Sequence, residues 1–182
     1  MNTKIKIVLI SGSPRKGNTE YILESLSKLL KKAGADTCLI LLRKCNICFC
    51  TGCLACETRT KSQQGICKQK DDMPELLEQL KQADIIVLGT PVYFEMLSGL
   101  TKNFIDRTCP VWPSLQGKKM GGVAVAEEGI GQALLNLKQY AEVCHMKYLG
   151  SLELLAKTPK EASRNTSLPE KLTAFTDLLL QG

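Results

Sequence analysis

An apolar run, Ile5 to Ile10, leads directly into the segment Ser11-Gly12-Ser13-Pro14-Arg15-Lys16-Gly17-Asn18-Thr19, which in turn opens an amphipathic helix. The first N–H groups of a helix lack intrahelical acceptors and carry partial positive charge, so this strand–turn–helix segment is suited to bind phosphate. It also supplies short polar side chains, cations and a glycine, at Ser11, Ser13, Arg15, Lys16, Gly17, Asn18 and Thr19. The segment matches neither G-x-G-x-x-G nor G-x-x-x-x-G-K-[ST], so we expect it to hold the single phosphate of a mononucleotide. The alternative is an ordinary turn between strand and helix that Thr19 caps.

Composition limits the class of protein. The 182 residues are 44% hydrophobic and 23% charged, and they are predicted to form one domain spanning residues 1–182. The formal net charge is +6, but the basic residues are spread along the chain, so nucleic-acid binding is not indicated. The N-terminus passes directly into a strand pattern, and no apolar run has membrane-spanning length, so we expect a cytoplasmic protein. Nine cysteines in such a protein indicate metal or redox chemistry rather than structural disulfides.

Strand and helix patterns alternate along the chain. Strands are predicted over residues 5–10, 37–42, 84–89, 119–126 and 148–156. Helices are predicted over residues 18–33, 71–83, 98–107, 131–144 and 168–181. Such alternation implies an α/β fold with helices on both faces of a parallel sheet. We expect a flavodoxin-like doubly wound sheet of order 2-1-3-4-5, with a cysteine-rich loop at about residues 44–70 and a loose polar loop at 157–167.

Two further loops follow strands and should meet the segment Ser11 to Thr19, here called the phosphate segment, at the carboxyl edge of the sheet. Thr90 to Ser98 includes Pro91, which sets the direction of the chain, and Val92, Tyr93 and Phe94, where two flat apolar side chains suit a heteroaromatic ring. Ser98, at the end of this loop, is a further candidate cofactor contact. Glu127 to Gln132 includes Glu127 and Gly129, and its glycines permit close backbone approach to a ligand. The alternative is that Tyr93 and Phe94 are core or interface residues.

The phosphate segment, the run Thr90-Pro-Val-Tyr-Phe-Glu-Met-Leu-Ser98 and its continuation Lys102-Asn-Phe-Ile-Asp-Arg107 together resemble the flavodoxin-like NADPH-dependent FMN reductases. The resemblance covers the chain up to about Gly150. It implies that FMN is bound with its phosphate at Ser11, Ser13, Asn18 and Thr19 and its isoalloxazine ring along Pro91 to Phe94. It also implies a homodimer or tetramer, because flavin sites of this family commonly lie near a subunit interface.

Six of the cysteines lie in one stretch after the second strand, at about residues 44–70, here called the cysteine segment. The spacing Cys50-x2-Cys53-x2-Cys56 matches the tight run that lets three thiolates bind three irons of one [4Fe-4S] cluster, and Cys67 would be the fourth ligand. The run Gly65-Ile-Cys67-Lys-Gln-Lys-Asp71-Asp72-Met73 resembles the end of the cysteine motif in the iron–sulfur flavoproteins, a branch of the same family. That resemblance implies FMN beside a [4Fe-4S] cluster, with single electrons passing between them.

The ligand set has alternatives. Ten residues separate Cys56 from Cys67, more than the branch motif usually shows, and Cys45 and Cys48 are additional thiols. Residues 61–65 are interpreted as an exposed bulge that leaves the ligand geometry intact. A zinc site from the pairs Cys45-x2-Cys48 and Cys53-x2-Cys56, or redox-active dithiols without metal, would also use these residues.

These observations predict an FMN-binding oxidoreductase. Electrons would come from NAD(P)H or a reduced iron–sulfur donor and pass to a small molecule or to a ferredoxin-type partner. One alternative is a cluster-free NAD(P)H-dependent FMN or quinone reductase, and another is a flavodoxin-like electron carrier between proteins. The only histidine, His145, falls at a predicted helix end, so a His-dependent hydrolase is poorly supported.

Overall fold

The computed structural model describes residues 4–57 and 65–182. In these ranges the strands are β1 Lys6–Ser11, β2 Asp36–Leu41, β3 Ile85–Tyr93, β4 Met96–Leu97, β5 Lys119–Ala126 and β6 Lys147–Leu155. Five of them form a parallel sheet of order β2-β1-β3-β5-β6, and the two-residue β4 pairs antiparallel with the end of β3. The predicted order 2-1-3-4-5 is confirmed once β4 is left out of the count.

The α-helices of the described residues are α1 Asn18–Lys32, α2 Met73–Gln82, α3 Gly99–Asp106, α4 Ala133–Val143 and α5 Leu168–Gln181. Short 3-10 helices cover Leu42–Lys44, Cys109–Leu115 and Glu161–Arg164. Helix α1 and helix α5 bury their apolar sides on one face of the sheet, and α2, α3 and α4 cover the other. Both faces are therefore covered, as the alternating pattern predicts.

The apolar run of β1 explains why this strand lies inside the sheet, between β2 and β3, and not at its edge. Ile7 and Leu9 pack into the core beneath α1 and α5, whereas Val8 and Ile10 pack into the core on the opposite face. Because successive side chains of a strand point to opposite faces, a strand buried on both sides has to be apolar throughout.

The third strand is longer than predicted. It continues through Thr90 to Tyr93 and turns back into β4, where the sequence suggested an irregular loop up to Ser98. The two turn residues, Phe94 and Glu95, have φ of 49° and 62°, the left-handed backbone that a two-residue hairpin turn requires. Local propensity favours Asn-Gly at such a turn, so Phe-Glu gives no hairpin signal in the sequence.

The register of the sheet brings the carboxyl ends of three strands together. Ser11 at the end of β1 is paired with Gly89 of β3, and Pro91 of β3 is paired with Val125 near the end of β5. The segments that follow β1, β3 and β5 therefore leave the sheet at one edge. Within the described residues no helix is both long and apolar enough to cross a membrane.

Removing a core side chain of α1 should destabilise the fold. Leu26 is fully buried in the core between α1 and the sheet, so Leu26→Ala should lower the free energy of unfolding by about 2–5 kcal/mol. Leu135 on α4 is 53% exposed, and Leu135→Ala is the matched control with a much smaller effect. Urea titrations of both variants measure the difference, and equal losses would contradict this assignment of the core.

Candidate functional site

The segment between β1 and α1 presents backbone amides at the sheet edge. The first intrahelical hydrogen bond of α1 runs from Tyr21 N–H to Gly17 O at 3.0 Å, so the amides of residues 18–20 precede the helical ladder. Ser13 Oγ donates to Arg15 O at 2.7 Å and accepts from Arg15 N–H at 3.4 Å, which shapes the turn before the helix. This geometry directs amide donors and the positive end of the helix dipole towards one point.

A cleft of about 120 Å³ lies at that point. Its lining combines the phosphate segment with residues from three other strand ends: Ser13, Arg15, Gly17, Asn18, Thr19, Pro91, Val92, Tyr93, Val125, Ala126, Glu127, Ala156 and Lys157. Most of the predicted cofactor residues are therefore brought together. Ser11 and Ser98 are buried outside this lining, and the Ser11 hydroxyl has no hydrogen-bond partner in the described part of the chain.

A wider groove of about 520 Å³ lies next to the cleft. The groove runs between the β3–β4 hairpin and the loop after β5, and it is lined by Val92, Tyr93, Phe94, Glu95, Ala126, Glu127, Glu128 and Gly129. Four of these residues also line the cleft, so the two spaces lie side by side. Phe94 is 97% exposed at the hairpin tip and belongs to no core, which argues against the alternative that it is a core residue.

Ser98 supports the phosphate segment from behind instead of facing the cleft. Its hydroxyl donates to Gly12 O at 2.6 Å and accepts from Thr101 N–H at 3.1 Å, so it caps α3 and holds the turn. The Ser98 amide donates to Thr90 Oγ1 at 3.1 Å, and Gly12 N–H donates to Gly89 O at 2.8 Å. Ser98, predicted to contact the cofactor, instead positions the segment that would do so.

The side chain of Asn18 is also used differently from the sequence prediction. Its Nδ2 donates to Ala156 O at 3.4 Å and Thr158 O at 2.9 Å, and its Oδ1 accepts from Ala162 N–H at 3.2 Å. The side-chain amide of Asn18 therefore joins the phosphate segment to the chain after β6. The loop at residues 157–167, predicted to be loose, is attached to the phosphate segment by these bonds, and its Lys157 lines the cleft.

Lys157 is the charged residue of the cleft lining that sequence reasoning missed, along with the apolar Val125, Ala126 and Ala156. Lys157 follows the last strand, at the same carboxyl edge of the sheet as the other three loops. The predicted strand order could therefore have placed it near the site. Its ammonium forms an ion pair with Glu127, another lining residue. The hydrogen bond and charge of Glu127 raise the pKa of Lys157 above its ordinary value, so this amine stays protonated near neutral pH.

The cysteine segment is tied to the fold at one end by a buried ion pair. Arg107 and Asp71 form a salt bridge of 2.6 Å in which both side chains are almost fully buried. Asp71 Oδ2 accepts from Cys48 N–H at 2.8 Å, and Arg107 Nη1 donates to Cys48 O at 2.6 Å. Asn103 of α3 donates to Ile47 O at 3.2 Å. The backbone around Cys48 is therefore anchored on both of its polar groups.

This pair stays ionised. Burial acts to raise the pKa of Asp71, but hydrogen bonds from Arg107 and from the amides of Cys48 and Met73 outweigh it and leave the pKa below its ordinary value. Burial acts to lower the pKa of Arg107, but Asp71 and the neighbouring Cys67 raise it.

The thiols themselves do not form a preassembled metal site. In residues 4–57 and 65–182 no three side chains of the metal-binding types His, Cys, Asp or Glu are placed to share one ion. Cys50 and Cys53 are exposed, whereas Cys56 and Cys67 are half-buried. The predicted bulge at residues 61–65 lies outside the described residues except for Gly65, which packs against the backbone of Cys56. The ligand set Cys50, Cys53, Cys56 and Cys67 therefore stays a prediction.

Comparisons with known proteins identify the family of this chain. A family model for NADPH-dependent FMN reductase matches residues 5–160. An iron–sulfur flavoprotein of Archaeoglobus fulgidus is 42% identical over 104 residues, which cover 57% of this chain and 49% of the relative. A second iron–sulfur flavoprotein of that organism is 36% identical over 137 residues, covering 73% and 68%. The structure of a flavodoxin from the domain Archaea superposes with a TM-score of 0.64 at 15% identity, covering 97% of this chain and 98% of that one.

The chain belongs to the flavodoxin-like NADPH-dependent FMN reductase family, in its iron–sulfur flavoprotein branch. The family resemblance stated from the sequence is confirmed. The chain spans about half the length of the first of these curated relatives, and the likeness to the flavodoxin, at 15% identity, shows the fold alone.

Neutralising Asp71 should destabilise the protein, because Arg107 would be left as a buried charge without its partner. Asp71→Asn should lower the free energy of unfolding by about 3–5 kcal/mol at pH 7. Since folding lowers the pKa of Asp71, its contribution is fully present above the ordinary value of 3.8 and is lost as pH falls through the lowered folded value. Urea titrations from pH 7 to pH 3 should therefore show the wild type approaching the variant at the acid end.

Glu78 provides the control, since it forms an exposed ion pair with Lys81. Glu78→Gln should change stability by less than about 1 kcal/mol. A loss for Asp71→Asn no larger than that of the control would show that the buried pair does not hold the cysteine segment in place.

Proposed function

We propose that this protein is an FMN-binding oxidoreductase. The observation that carries the proposal is a small amide-lined cleft beside a wide groove, with four lining residues in common, at the carboxyl edge of the sheet. A phosphomonoester joined by a short chain to a planar ring has the same two parts. Membership of the NADPH-dependent FMN reductase family supports FMN over other mononucleotides.

The phosphate would be held in the cleft. The amides of residues 18–20 and the helix dipole favour a dianion, and Arg15 and Lys157 add cationic side chains to the lining. Thr19 is buried with its methyl group beside Gly89, and it lines the cleft, so its hydroxyl would serve as a short donor at the helix start. Ser13 contributes from the turn itself.

The ring would lie in the groove. Tyr93 and Phe94 on one wall offer flat apolar surface, and Glu127 to Gly129 form the other wall. FMN, when bound, supplies hydride and single-electron chemistry, whereas the residues of the chain bind and orient it. The groove opens to solvent on the side of the exposed hairpin tip, so a reductant or an acceptor has access to it.

We further propose that Cys50, Cys53, Cys56 and Cys67 hold a [4Fe-4S] cluster. Their spacing and the names of the iron–sulfur flavoprotein relatives support this proposal. In residues 4–57 and 65–182 no three metal-binding side chains are placed to share one ion, so the proposed ligand set rests on spacing and on the relatives.

The reaction partners are proposed on the family relationship alone. We propose NAD(P)H or a reduced iron–sulfur protein as the electron donor, in a cytoplasmic homodimer or tetramer. NAD(P)H oxidation by flavin-loaded protein identifies a reductase, whereas rapid reduction by a ferredoxin without NAD(P)H turnover identifies an electron carrier. NAD(P)H turnover by iron-free protein would identify the cluster-free reductase.

Flavin affinity tests the phosphate cleft. Thr19→Val keeps the shape of the side chain and removes its hydroxyl, so it should weaken FMN binding by about tenfold or more, as loss of a hydrogen bond to a charged group does. Thr19→Ser keeps the hydroxyl and should bind FMN within about threefold of wild type. Quenching of flavin fluorescence gives both constants. A wild-type protein that gains no flavin spectrum when FMN is added refutes the proposed function.

Iron and acid-labile sulfide, measured on anaerobically purified protein, test the cluster. Cys53→Ser should lose most of the iron and the sulfide. Cys38→Ser is the control and should retain both, because Cys38 lies in β2 and donates to Gln79 rather than joining the segment. Full iron content in Cys53→Ser would remove Cys53 from the ligand set, and zinc without sulfide would favour the zinc alternative.

A further inference from the structure

We propose that Lys157 is a phosphate-binding residue whose ammonium is shared, in turn, between Glu127 and the cofactor phosphate. The inference rests on the proposed FMN function and deepens it. It makes Glu127 a competitor for Lys157, whereas the sequence suggested that Glu127 contacts the cofactor. Lys157 and Glu127 together then set how strongly the site prefers a phosphorylated flavin to riboflavin.

The backbone on either side of Lys157 is held against the phosphate segment. Asn18, which is nearly fully buried, donates to the carbonyls of Ala156 and Thr158, the residues that flank Lys157. Its Oδ1 accepts from Ala162 N–H further along the same loop. A lysine on a loop fixed at both neighbours has its Cα at a defined place beside the cleft, while its long side chain remains free to turn.

The charges that line the cleft are few. Arg15 and Lys157 are the cations and Glu127 is the anion among the residues that line it. The Lys157 side chain is 67% exposed and that of Glu127 is 51% exposed, so their ion pair is a surface pair that contributes little to folding stability. Breaking it therefore costs little, and its position at the cleft is better explained by ligand binding than by stability.

A phosphomonoester competes well for this ammonium. It carries about −1.5 to −2 charge near neutral pH and three strong acceptor oxygens, compared with one charge on a carboxylate. A lysine ammonium is a compact charge with three rotatable donors, so it can exchange one acceptor for another without backbone movement. Because Glu127 and the phosphate use the same ammonium, removing the carboxylate should favour the phosphate.

The experiment measures dissociation constants of FMN and riboflavin by flavin fluorescence quenching. Lys157→Gln should weaken FMN binding by about tenfold and leave riboflavin binding within about twofold of wild type, because riboflavin has no phosphate. Glu127→Gln should tighten FMN binding by about threefold in the wild-type background and should have no effect in the Lys157→Gln background. All substituted side chains are exposed, and circular dichroism melts verify that each variant folds.

Two controls match the charge changes. Lys160→Gln removes a cation from the same loop at a residue outside the cleft lining, and it should leave FMN binding unchanged. Glu142→Gln breaks the exposed Lys138–Glu142 pair on α4 and should also have no effect.

Three results would overturn the inference. If Lys157→Gln binds FMN as Lys160→Gln does, Lys157 does not contact the phosphate. If Glu127→Gln tightens FMN binding equally in the Lys157→Gln background, Glu127 repels the phosphate directly and shares no ammonium with it. If the wild type binds riboflavin and FMN equally, the cleft holds no phosphate, whereas a wild type that binds neither flavin refutes the proposed function itself.

Discussion

The hydroxyl of Ser98 is the contact on which the site geometry depends. It joins Gly12, in the turn after β1, to the first turn of α3, and it is fully buried while doing so. A Cβ at Gly12 would overlap Thr101, so the turn can approach this helix only because residue 12 is glycine. The phosphate segment therefore rests on a hydrogen-bond network that also includes Thr90 of β3. This network ties the wall of the cleft to a central strand of the sheet.

Two ion pairs connect the cysteine segment to the same framework. Arg43, just before the segment, donates at 3.0 Å to both carboxylate oxygens of Glu20 in the first turn of α1. Arg107 and Asp71 hold the backbone of Cys48 from the other side. Breaking the buried Arg107–Asp71 pair would leave an uncompensated charge, whereas Arg43 is partly exposed, so the Arg107–Asp71 end of the network is the more strongly held. The entry to the cysteine segment is thereby fixed relative to the phosphate segment, although the thiols are not gathered.

Much of the fold is readable from the sequence, because β1 and β5 are apolar runs and α1 has a clear amphipathic stripe. The phosphate segment is equally visible, since strand, glycine-containing turn and helix start are adjacent in the chain. The roles of Asn18 and Lys157 were not visible. The side chain of Asn18 hydrogen-bonds to Ala156, Thr158 and Ala162, which lie 138, 140 and 144 positions further along the chain. Local sequence gives no indication of such distant partners. The hairpin after β3 was not predicted for a different reason. Its turn residues, Phe94 and Glu95, have left-handed backbone, which such residue types rarely adopt.

The turn between β3 and β4 is held in its left-handed backbone by the loop after β5. Left-handed backbone at Phe94 and Glu95 costs of order 1–3 kcal/mol for each residue, so the surroundings must enforce it. The Glu95 carbonyl accepts from Gln132 N–H at 2.6 Å, and Gly131 packs so closely on Glu95 that a Cβ there would overlap it. The hairpin is thus attached to the loop after β5, and the two walls of the groove are joined at one end. A groove closed in this way keeps a fixed width, which suits a rigid planar ring better than a flexible substrate. The exposed Phe94 ring then lies at the mouth because the strained turn holds it there, and no packing in the described chain requires that position.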